Sequence, residues 1–479
     1  MNAPANIPAD LKEESNPYLS GNFGPVRSED DFADLKVVGE IPKDLAGAFF
    51  RNGPNPQFAP RDDQHHWFAG DGMIHGFTVE NGKARYRNRY VRTPKWTLEN
   101  KAGHALYGTF GNPMTSDPSV IGADSGIANT NIVWHGGKLL ALEEAHEPFA
   151  LDPRTLESKG YLDYAGAARR FTAHPKLDPE TGEMVFFGYG AGEGFFTDKI
   201  AYGVADKTGK VTRLDTFEAP FCSMIHDFFV TKNYVAFPVL PLTGSLPRAM
   251  RGGPAFCWEP EKGSHIAVMR RDGDIASIKW FETEACYVFH PMNMWDDGDH
   301  IYADVLQYDV APLFPSADGA MGKNAQGRLA RWTFDLKAGT LKREYVDDMT
   351  GEFPRLDERR AGLSYRHGYF AANANPGRGN MSFDAIAHID WATGKKAVHA
   401  FPAGDNPGEP VFVPRGKDEG DGWLVTTVYR GAEDRSDFVV FDAQDVAKGP
   451  VGAAQLPRRV PFGFHGNWVP AGEMPAGEI

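Results

Sequence analysis

The sequence predicts an all-β fold of consecutive antiparallel sheets, with short helices confined to loops. Three observations predict it. The 53 Gly and 35 Pro residues are spread along the 479-residue chain, which is typical of many short strands joined by tight turns. Short apolar segments recur in pairs around turn dipeptides from about residue 70 to 445. Few stretches keep a helical apolar period of 3.6 residues over about 12 positions.

Six paired segments carry the hairpin signal, each with a glycine after Asn, Gly, Thr or Ala between two alternating runs. In sequence order they are 74–91, 132–142, 177–189, 202–214, 332–346 and 387–401. Hairpin turns need positive φ at their centre, which these dipeptides supply. Radial repetition of such sheets protects their edges and favours a β-propeller, and two stacked β-sandwiches are the alternative.

Composition excludes several classes of protein. The net charge of −14 argues against nucleic-acid binding, which needs clustered Lys and Arg. No apolar run of about 18 residues exists, and residues 1–25 lack the pattern of a secretory signal, so we expect a cytoplasmic protein. Three scattered cysteines are too few for a disulfide framework. We expect a partly ordered N-terminal extension over 1–34 and a single domain over 35–479.

Four of the fifteen histidines stand in apolar, strand-like settings, whereas ten others lie in polar or turn contexts typical of surface or capping histidines. The four are His174, His226, His290 and His465, separated by 52, 64 and 175 residues. Such gaps place each one on a different blade of a propeller, where inner strands converge. A lone buried histidine is more often a hydrogen-bonded core residue, but four together point to a shared metal ion. Imidazole suits iron, zinc, copper or nickel.

Metal-bound histidines need an acceptor for their second ring N–H, commonly a carboxylate. Glu144, Glu352 and Glu409 are flanked by apolar or proline residues and are candidates for this role; a charged strand end is the other interpretation of each. The Gly-rich string from Gly70 to Met73 is interpreted as a turn, because it lacks the following helix and the lysine of a phosphate-binding loop.

Seven strings together identify a resemblance: "HHWFAGDGMIHGF", "ANTNIVWHGGKLLALEE", "FTAHPKLDPETGEM", "MIHDFFVT", "GEFPR", "GEPVFVPR" and "HGNWVP". In this order, over about residues 35–470, they resemble the carotenoid cleavage oxygenases. The resemblance implies a seven-bladed β-propeller whose short helices and loops cap the active-site face. It also implies one Fe(II) per protein molecule and cleavage of a conjugated C=C bond with O2 to two carbonyl products.

The resemblance assigns residues to roles. The iron ligands are His174, His226, His290 and His465; Glu144 accepts from His226, Glu352 from His290 and Glu409 from His465, which leaves His174 without a carboxylate. Thr130 of "ANTN" matches a threonine whose methyl group crowds an open coordination position in relatives. The lipophilic, conjugated substrate then lies in an apolar tunnel across the metal.

The substrate class divides the family. Relatives that cleave 4-hydroxystilbenes hold the phenol with a Tyr and a Lys, and this protein has Phe110 and Glu143 at those positions while retaining the aromatic Phe68. A phenol would lose two partners, a penalty of about 2–4 kcal/mol. We therefore expect an apocarotenoid substrate, with a stilbenoid of the lignostilbene or resveratrol type as the alternative; Glu143 could still accept a phenol proton itself.

Two other classes compete with the oxygenase. A metal-dependent propeller hydrolase would use carboxylate ligands around Ca or Zn, and a non-catalytic propeller would bind a partner on its face. Segment 237–256, with Arg248, Arg251 and the nearby Lys262, is apolar and basic. It is interpreted either as a tunnel rim in weak contact with a membrane surface or as an ordinary surface loop.

Overall fold

Strands dominate the protein. The computed structural model describes residues 16–61, 65–108, 110–164, 170–192, 194, 196–322, 325–375 and 382–475. The two α-helices in these ranges are short, α1 over Pro94–Ala102 and α2 over Leu246–Met250, and no described helix is long and apolar enough to span a bilayer. The prediction of a mostly β protein with few helices is confirmed.

The strands of the first half of the sequence are β1 Asp31–Phe32, β2 Lys36–Gly39, β3 Gly47–Pro54, β4 Gly72–Glu80, β5 Lys83–Tyr90, β6 Asn131–His135, β7 Lys138–Leu142, β8 Phe149–Leu151, β9 Ser158–Tyr161, β10 Lys176–Leu177, β11 Met184–Tyr189, β12 Lys199–Ala205, β13 Val211–Glu218, β14 Phe229–Val230, β15 Tyr234–Val239 and β16 Leu242–Gly244.

Those of the second half are β17 Phe256–Trp258, β18 Ser264–Arg270, β19 Lys279–Thr283, β20 Tyr287–Asp297, β21 His300–Tyr308, β22 Arg328–Asp335, β23 Thr340–Leu356, β24 His367–Ala372, β25 Ala385–Asp390, β26 Lys395–Ala400, β27 Asn406–Pro407, β28 Val411–Pro414, β29 Gly422–Arg430, β30 Arg435–Asp442, β31 Gly452–Gln455 and β32 Gly466–Pro470. Single 3-10 turns lie at Pro17–Leu19, Gly21–Phe23, Trp67–Ala69, Pro113–Thr115, Pro118–Val120, Pro260–Lys262, Ile275–Ser277, Glu358–Arg360 and Val446–Lys448.

These strands pair in antiparallel sheets made of segments that are neighbours in sequence. The strand orders are β1-β5-β4-β3-β32, β6-β7-β8-β9, β10-β11-β12-β13, β14-β15-β18-β19, β20 through β26 in sequence, and β2-β31-β30-β29-β27 with β28 on β29; β16 and β17 form a small separate ribbon. The long strand β23 belongs to two four-stranded arrays, because its pairing passes from β22 to β24. In the first sheet β32 lies beside β3, so strands from near the two ends of the sequence meet there.

The six predicted hairpins are confirmed, and their turns show why. β4 and β5 meet at Asn81 and Gly82, whose φ values are 53° and 77°, and β6 and β7 meet at Gly136 and Gly137 with φ values of 58° and 73°. Two successive residues at positive φ form the turn that matches the twist of a hairpin.

The predicted N-terminal extension lies partly outside the described residues. Where it is described, from residue 16, it packs on the body of the protein: the Phe23 ring lies 5.3 Å from both Trp67 and Phe462, and β1 pairs with β5. The Gly70–Met73 string is a turn leading into a strand, as expected. Gly72 begins β4, where an added Cβ would lie 2.4 Å from the Ala128 carbonyl oxygen, so a larger residue would push the two segments apart.

Candidate metal centre

The four candidate histidines occupy equivalent places, each on or just before an edge strand of a different sheet. His174 precedes β10, His226 precedes β14, His290 lies within β20, and His465 immediately precedes β32. The β20 pairing with β21 is irregular between Val288 and Pro291, and such bulges re-aim side chains out of the regular ladder. The local backbone thus turns each imidazole out of its own sheet toward a common point.

The four imidazoles converge. One ring nitrogen of each lies within 4.8 Å of one from every other. His226 Nε2 is 3.1 Å from His174 Nε2 and 3.0 Å from His290 Nε2, and the His465 ring centroid lies 4.4 Å from that of His174. All four residues are at most 7% exposed. Since one nitrogen cannot satisfy two others by hydrogen bonding alone, a shared cation is the fitting partner.

The rings are held in the form that binds metal. Burial, followed by the neighbouring imidazoles, keeps the pKa of His174 and of His290 well below the ordinary value, and burial lowers the pKa of His465. Neutral imidazoles offer a lone pair to a cation, whereas imidazolium does not. The donor set is therefore chemically suited to a transition-metal ion.

Three glutamates lie at the outer ring nitrogens, in the pairs expected from the resemblance. Glu144 contacts His226 Nδ1, Glu352 Oε2 lies 2.6 Å from His290 Nδ1, and Glu409 Oε1 lies 2.9 Å from His465 Nδ1. A carboxylate on Nδ1 makes this nitrogen the N–H donor and leaves Nε2 with the lone pair. The pairing thus aims the Nε2 lone pairs inward.

Two of these glutamates differ in electrostatic environment. Burial raises the pKa of Glu352 well above the ordinary value. Burial acts in the same direction on Glu409, but the Arg355 guanidinium, whose Nη1 is 3.2 Å away, and then His465 overcome it and lower the Glu409 pKa to about 2. Sequence reasoning missed Arg355, although it ends the "GEFPR" string, and it missed Tyr189, whose hydroxyl donates to Glu144 at 2.6 Å.

Thr130 lies at the edge of the cluster. Its carbonyl accepts from the His465 backbone N–H at 3.2 Å, and its hydroxyl donates to Asn129 Oδ1 at 3.0 Å. Because Asn129 donates in turn to the carbonyls of Phe68 and Gly70, this segment ties the histidine cluster to the Gly70–Met73 turn.

An aromatic wall adjoins the cluster, and we use this name for His66, Phe68, Phe110, Phe256, Phe314 and Phe464. Phe464 directly precedes His465, and its ring centroid lies 5.4 Å from Phe68, which lies 6.0 Å from Phe110. His66 stacks on Phe110 at 5.3 Å. Its Nδ1 accepts from the Phe68 N–H and its Nε2 lies 3.3 Å from the Leu313 carbonyl, so both ring nitrogens are engaged. Burial lowers its pKa to about 4.

Glu143 is committed to backbone hydrogen bonds. Its Oε1 accepts from the N–H groups of Ile127 and Ala128 at 2.7 and 3.1 Å and lies 3.2 Å from His146 Nδ1. Accepting a phenol proton at Oε1 would displace one of these donors. The structure therefore brings Phe68 and Phe110 into one wall and gives Glu143 a structural task.

A polar cavity of about 470 Å³ also reaches the cluster. Its lining includes His174, His290 and His465, together with Lys176 and Asp227. The Asp227 carboxylate, which follows His226 directly in the sequence, was not singled out by sequence reasoning. It lies 2.7 Å from the Lys176 ammonium and is 4% exposed.

Two sequence expectations need adjustment around the site. His135, His367 and His388, expected at the surface or in caps, are buried at 6–7% exposure; each lies in a strand that packs on both faces. Segment 237–256 begins inside the buried strand β15 and ends at Phe256 in the aromatic wall. Of its middle part, Met250 is 68% exposed.

Comparison with known proteins agrees with this geometry. The family model described as retinal pigment epithelial membrane protein matches residues 23–470. An isoeugenol monooxygenase of Pseudomonas nitroreducens is 40% identical over 472 residues, 95% of this protein and 98% of the relative. The crystal structure of a lignostilbene dioxygenase of Pseudomonas brassicacearum superposes with a TM-score of 0.92 at 34% identity, covering 95% of this protein and 99% of the relative. A variant of the Synechocystis apocarotenoid oxygenase superposes at 0.84 and 29% identity, covering 93% and 97%.

Proposed function

This protein belongs to the retinal pigment epithelial membrane protein family, the carotenoid oxygenases, and on that premise we propose that it cleaves the exocyclic C=C bond of an aryl-alkene. It is an oxidoreductase of the carotenoid cleavage oxygenase type. The proposed reaction uses Fe(II) and O2 and turns a stilbenoid or phenylpropenoid into two carbonyl compounds. The observation that carries it is the buried four-histidine cluster beside a wall of aromatic rings.

The choice of an aryl-alkene revises the apocarotenoid expected from the sequence. The isoeugenol and lignostilbene enzymes resemble this protein more than the apocarotenoid oxygenase does, at 40% and 34% against 29% identity. The wall supports the same direction, because five of its six members are phenylalanines that stack on a flat aryl ring. A phenol at Phe110 finds no hydroxyl or amine there, so we propose a substrate ring whose oxygen, where present, is alkylated.

Iron is proposed from the donor set and the buried charges. Four neutral imidazoles suit Fe(II) among other metals. Three outer glutamates and the Arg355 guanidinium leave two negative charges in the buried cluster, and a divalent ion neutralises them. Bound there, Fe(II) would supply the reactivity toward O2 that no side chain possesses.

The protein's own groups would then orient, exclude water and limit access. Glu144, Glu352 and Glu409 hold the imidazole rings with Nε2 inward. The aromatic wall would hold the substrate and exclude water from it. Thr130, beside His465, is proposed to crowd one side of the metal so that only a small ligand fits.

For the architecture, we propose seven blades around one axis. The six sheets of four or more strands among the described residues supply seven four-stranded units when the sheet from β20 to β26 is divided at β23. The equivalent position of the four histidines on edge strands supports this arrangement, since inner strands of blades meet at the axis.

The test is substrate turnover under labelled oxygen. Metal-free protein is reloaded anaerobically with Fe(II) and incubated under 18O2 with isoeugenol, its O-methyl ether, 4-methoxystilbene, resveratrol and an 8′-apocarotenal. Aldehydes are trapped by reduction before they exchange with water, and product masses give the cleaved bond and the number of labelled atoms. Cleavage of an aryl-alkene is expected, and cleavage of the apocarotenal alone would overturn the substrate class.

Control reactions address the metal. His226→Ala removes one imidazole from the centre and is expected to abolish cleavage while the protein still melts cooperatively. Zn(II)-loaded protein is expected to be inactive. Full activity under argon, or with Zn(II), would indicate a hydrolase and refute the oxygenase.

A further inference from the structure

The fourth histidine has a carboxylate of its own at the equivalent ring nitrogen. His174 presents Nε2 to His226 Nε2, as its neighbours in the cluster do, and its Nδ1 lies 3.8 Å from Asp227 Oδ2. The other three Nδ1 atoms each have a glutamate at hydrogen-bond distance. Asp227 thus completes a pattern in which every ring points Nε2 inward and Nδ1 toward a buried acid.

Asp227 is fixed from two sides. Lys176 Nζ lies 2.7 Å from Oδ1 and donates to Oδ2 at 2.9 Å, and the Phe228 backbone N–H donates to Oδ1 at 2.7 Å. The Asp227 side chain is 3% exposed and that of Lys176 is 28% exposed. Lys176 follows His174 by two residues, so in an extended segment both side chains project to one face.

The same design occurs at Glu409. That carboxylate also contacts a histidine through one oxygen and a cation, Arg355, through the other. A buried carboxylate costs several kcal/mol unless it is paired, and burial does raise the Asp227 pKa although Lys176 opposes it. In each case a cation keeps an outer acid ionised beside an imidazole.

On the basis of the proposed metal centre, we propose that Asp227, held by Lys176, is the fourth outer carboxylate and positions His174. In the metal-bound state the His174 Nδ1–H donates to Asp227, and this fixes the ring with Nε2 on the metal. Asp227 is a positioning residue, because it acts through His174. The rival explanation is a salt bridge that only ties two strands together.

Cobalt(II) titration separates the two explanations, because it reports on the ligand field without turnover. Metal-free parent protein, Asp227→Asn and Lys176→Met are titrated with Co(II) against a competing chelator, and the visible absorption of each complex is recorded. Asp227→Asn is expected to weaken Co(II) binding at least about tenfold, as outer-acid replacements do, and to shift the absorption bands. Lys176→Met is expected to give a smaller change in the same direction.

Asp304→Asn is the matched control. Asp304 is also fully buried and paired with a cation, Arg331, but its other partner is the Tyr365 hydroxyl and it contacts no histidine of the cluster. It should lower the melting temperature without altering Co(II) affinity or spectrum. Parent affinity and spectrum in Asp227→Asn would overturn the proposal.

Two further outcomes are decisive. If Asp227→Asn does not fold, an unchanged spectrum in Lys176→Met, whose side chain is partly exposed, would overturn the proposal. If the parent itself binds no Co(II), the proposed metal centre fails and this inference with it. Normal parent binding with an unaffected Asp227→Asn sinks the inference alone.

Discussion

Replacing Glu409 by glutamine should loosen the metal centre more than any similar change at an exposed carboxylate. Glu409 uses both oxygens: Oε1 contacts His465 Nδ1, and Oε2 accepts from the Gly466 N–H at 2.8 Å and lies 3.2 Å from Arg355 Nη1. Glutamine has one oxygen and one amide NH2. Whichever way it is placed, one donor of the centre then faces another donor.

The magnitude follows from the carboxylate's own environment. A Glu409 pKa near 2, against 4.5 ordinarily, represents about 3 kcal/mol of preference for the ionised form at roughly 1.4 kcal/mol per pH unit. Glutamine forfeits that interaction and leaves Arg355 without its buried partner. We expect a loss of stability of about 2–4 kcal/mol and a loss of metal affinity of about 10- to 100-fold.

Chelator competition with Fe(II) or Co(II) measures the affinity, and urea unfolding of the metal-free protein measures the stability. Glu358→Gln is the control, because Glu358 accepts from Arg355 Nε at 3.0 Å but its side chain is 52% exposed. An exposed pair contributes at most about 1 kcal/mol. Metal affinity in Glu409→Gln within twofold of Glu358→Gln would refute the reasoning.

Three other outcomes are expected. Phe110→Tyr should raise kcat/KM for a 4-hydroxylated aryl-alkene about fivefold over its methyl ether, the energy of one hydrogen bond; an equal change for the phenol and the ether contradicts this. Divalent metal at 100 times its Kd should stabilise the parent by about 2.7 kcal/mol, and His226→Ala should lose that increment in thermal unfolding. Metal-free protein should lose stability from pH 7.5 to 5.5. The buried His174, His290 and His465 have lowered pKa values and stay neutral while the unfolded protein takes up protons. The raised Glu352 pKa acts oppositely, so a rise in stability would show that it dominates.

The local features of the fold could be predicted because their causes are local. Asn81-Gly82 and Gly136-Gly137 adopt positive φ at the hairpins that their chemistry indicates, and the alternation on either side sets the strands. The candidate ligands could be located by their apolar settings, since a histidine surrounded by buried strand residues needs a reason to be there.

The supporting contacts could not be predicted, because they join residues far apart in sequence. Arg355 meets Glu409 across 54 positions and Asp227 meets His174 across 53, and no periodicity within either segment indicates which acid a cation will reach. Glu143 shows the opposite limit. Its alignment with a phenol-binding lysine suggested a substrate contact, but its Oε1 holds the backbone at residues 127 and 128.

The charges of the centre favour the ferrous over the ferric ion. With Glu144, Glu352 and Glu409 ionised and Arg355 positive, the buried cluster carries two negative charges, which Fe(II) cancels and Fe(III) exceeds. Excess charge in a low-dielectric interior is costly, so oxidation of the bound ion would work against the protein. Without metal the imbalance has another remedy: burial raises the Glu352 pKa, and protonation of this carboxyl removes one negative charge. We therefore infer that metal uptake releases a proton from Glu352, so affinity should rise with pH and lose part of that dependence in Glu352→Gln.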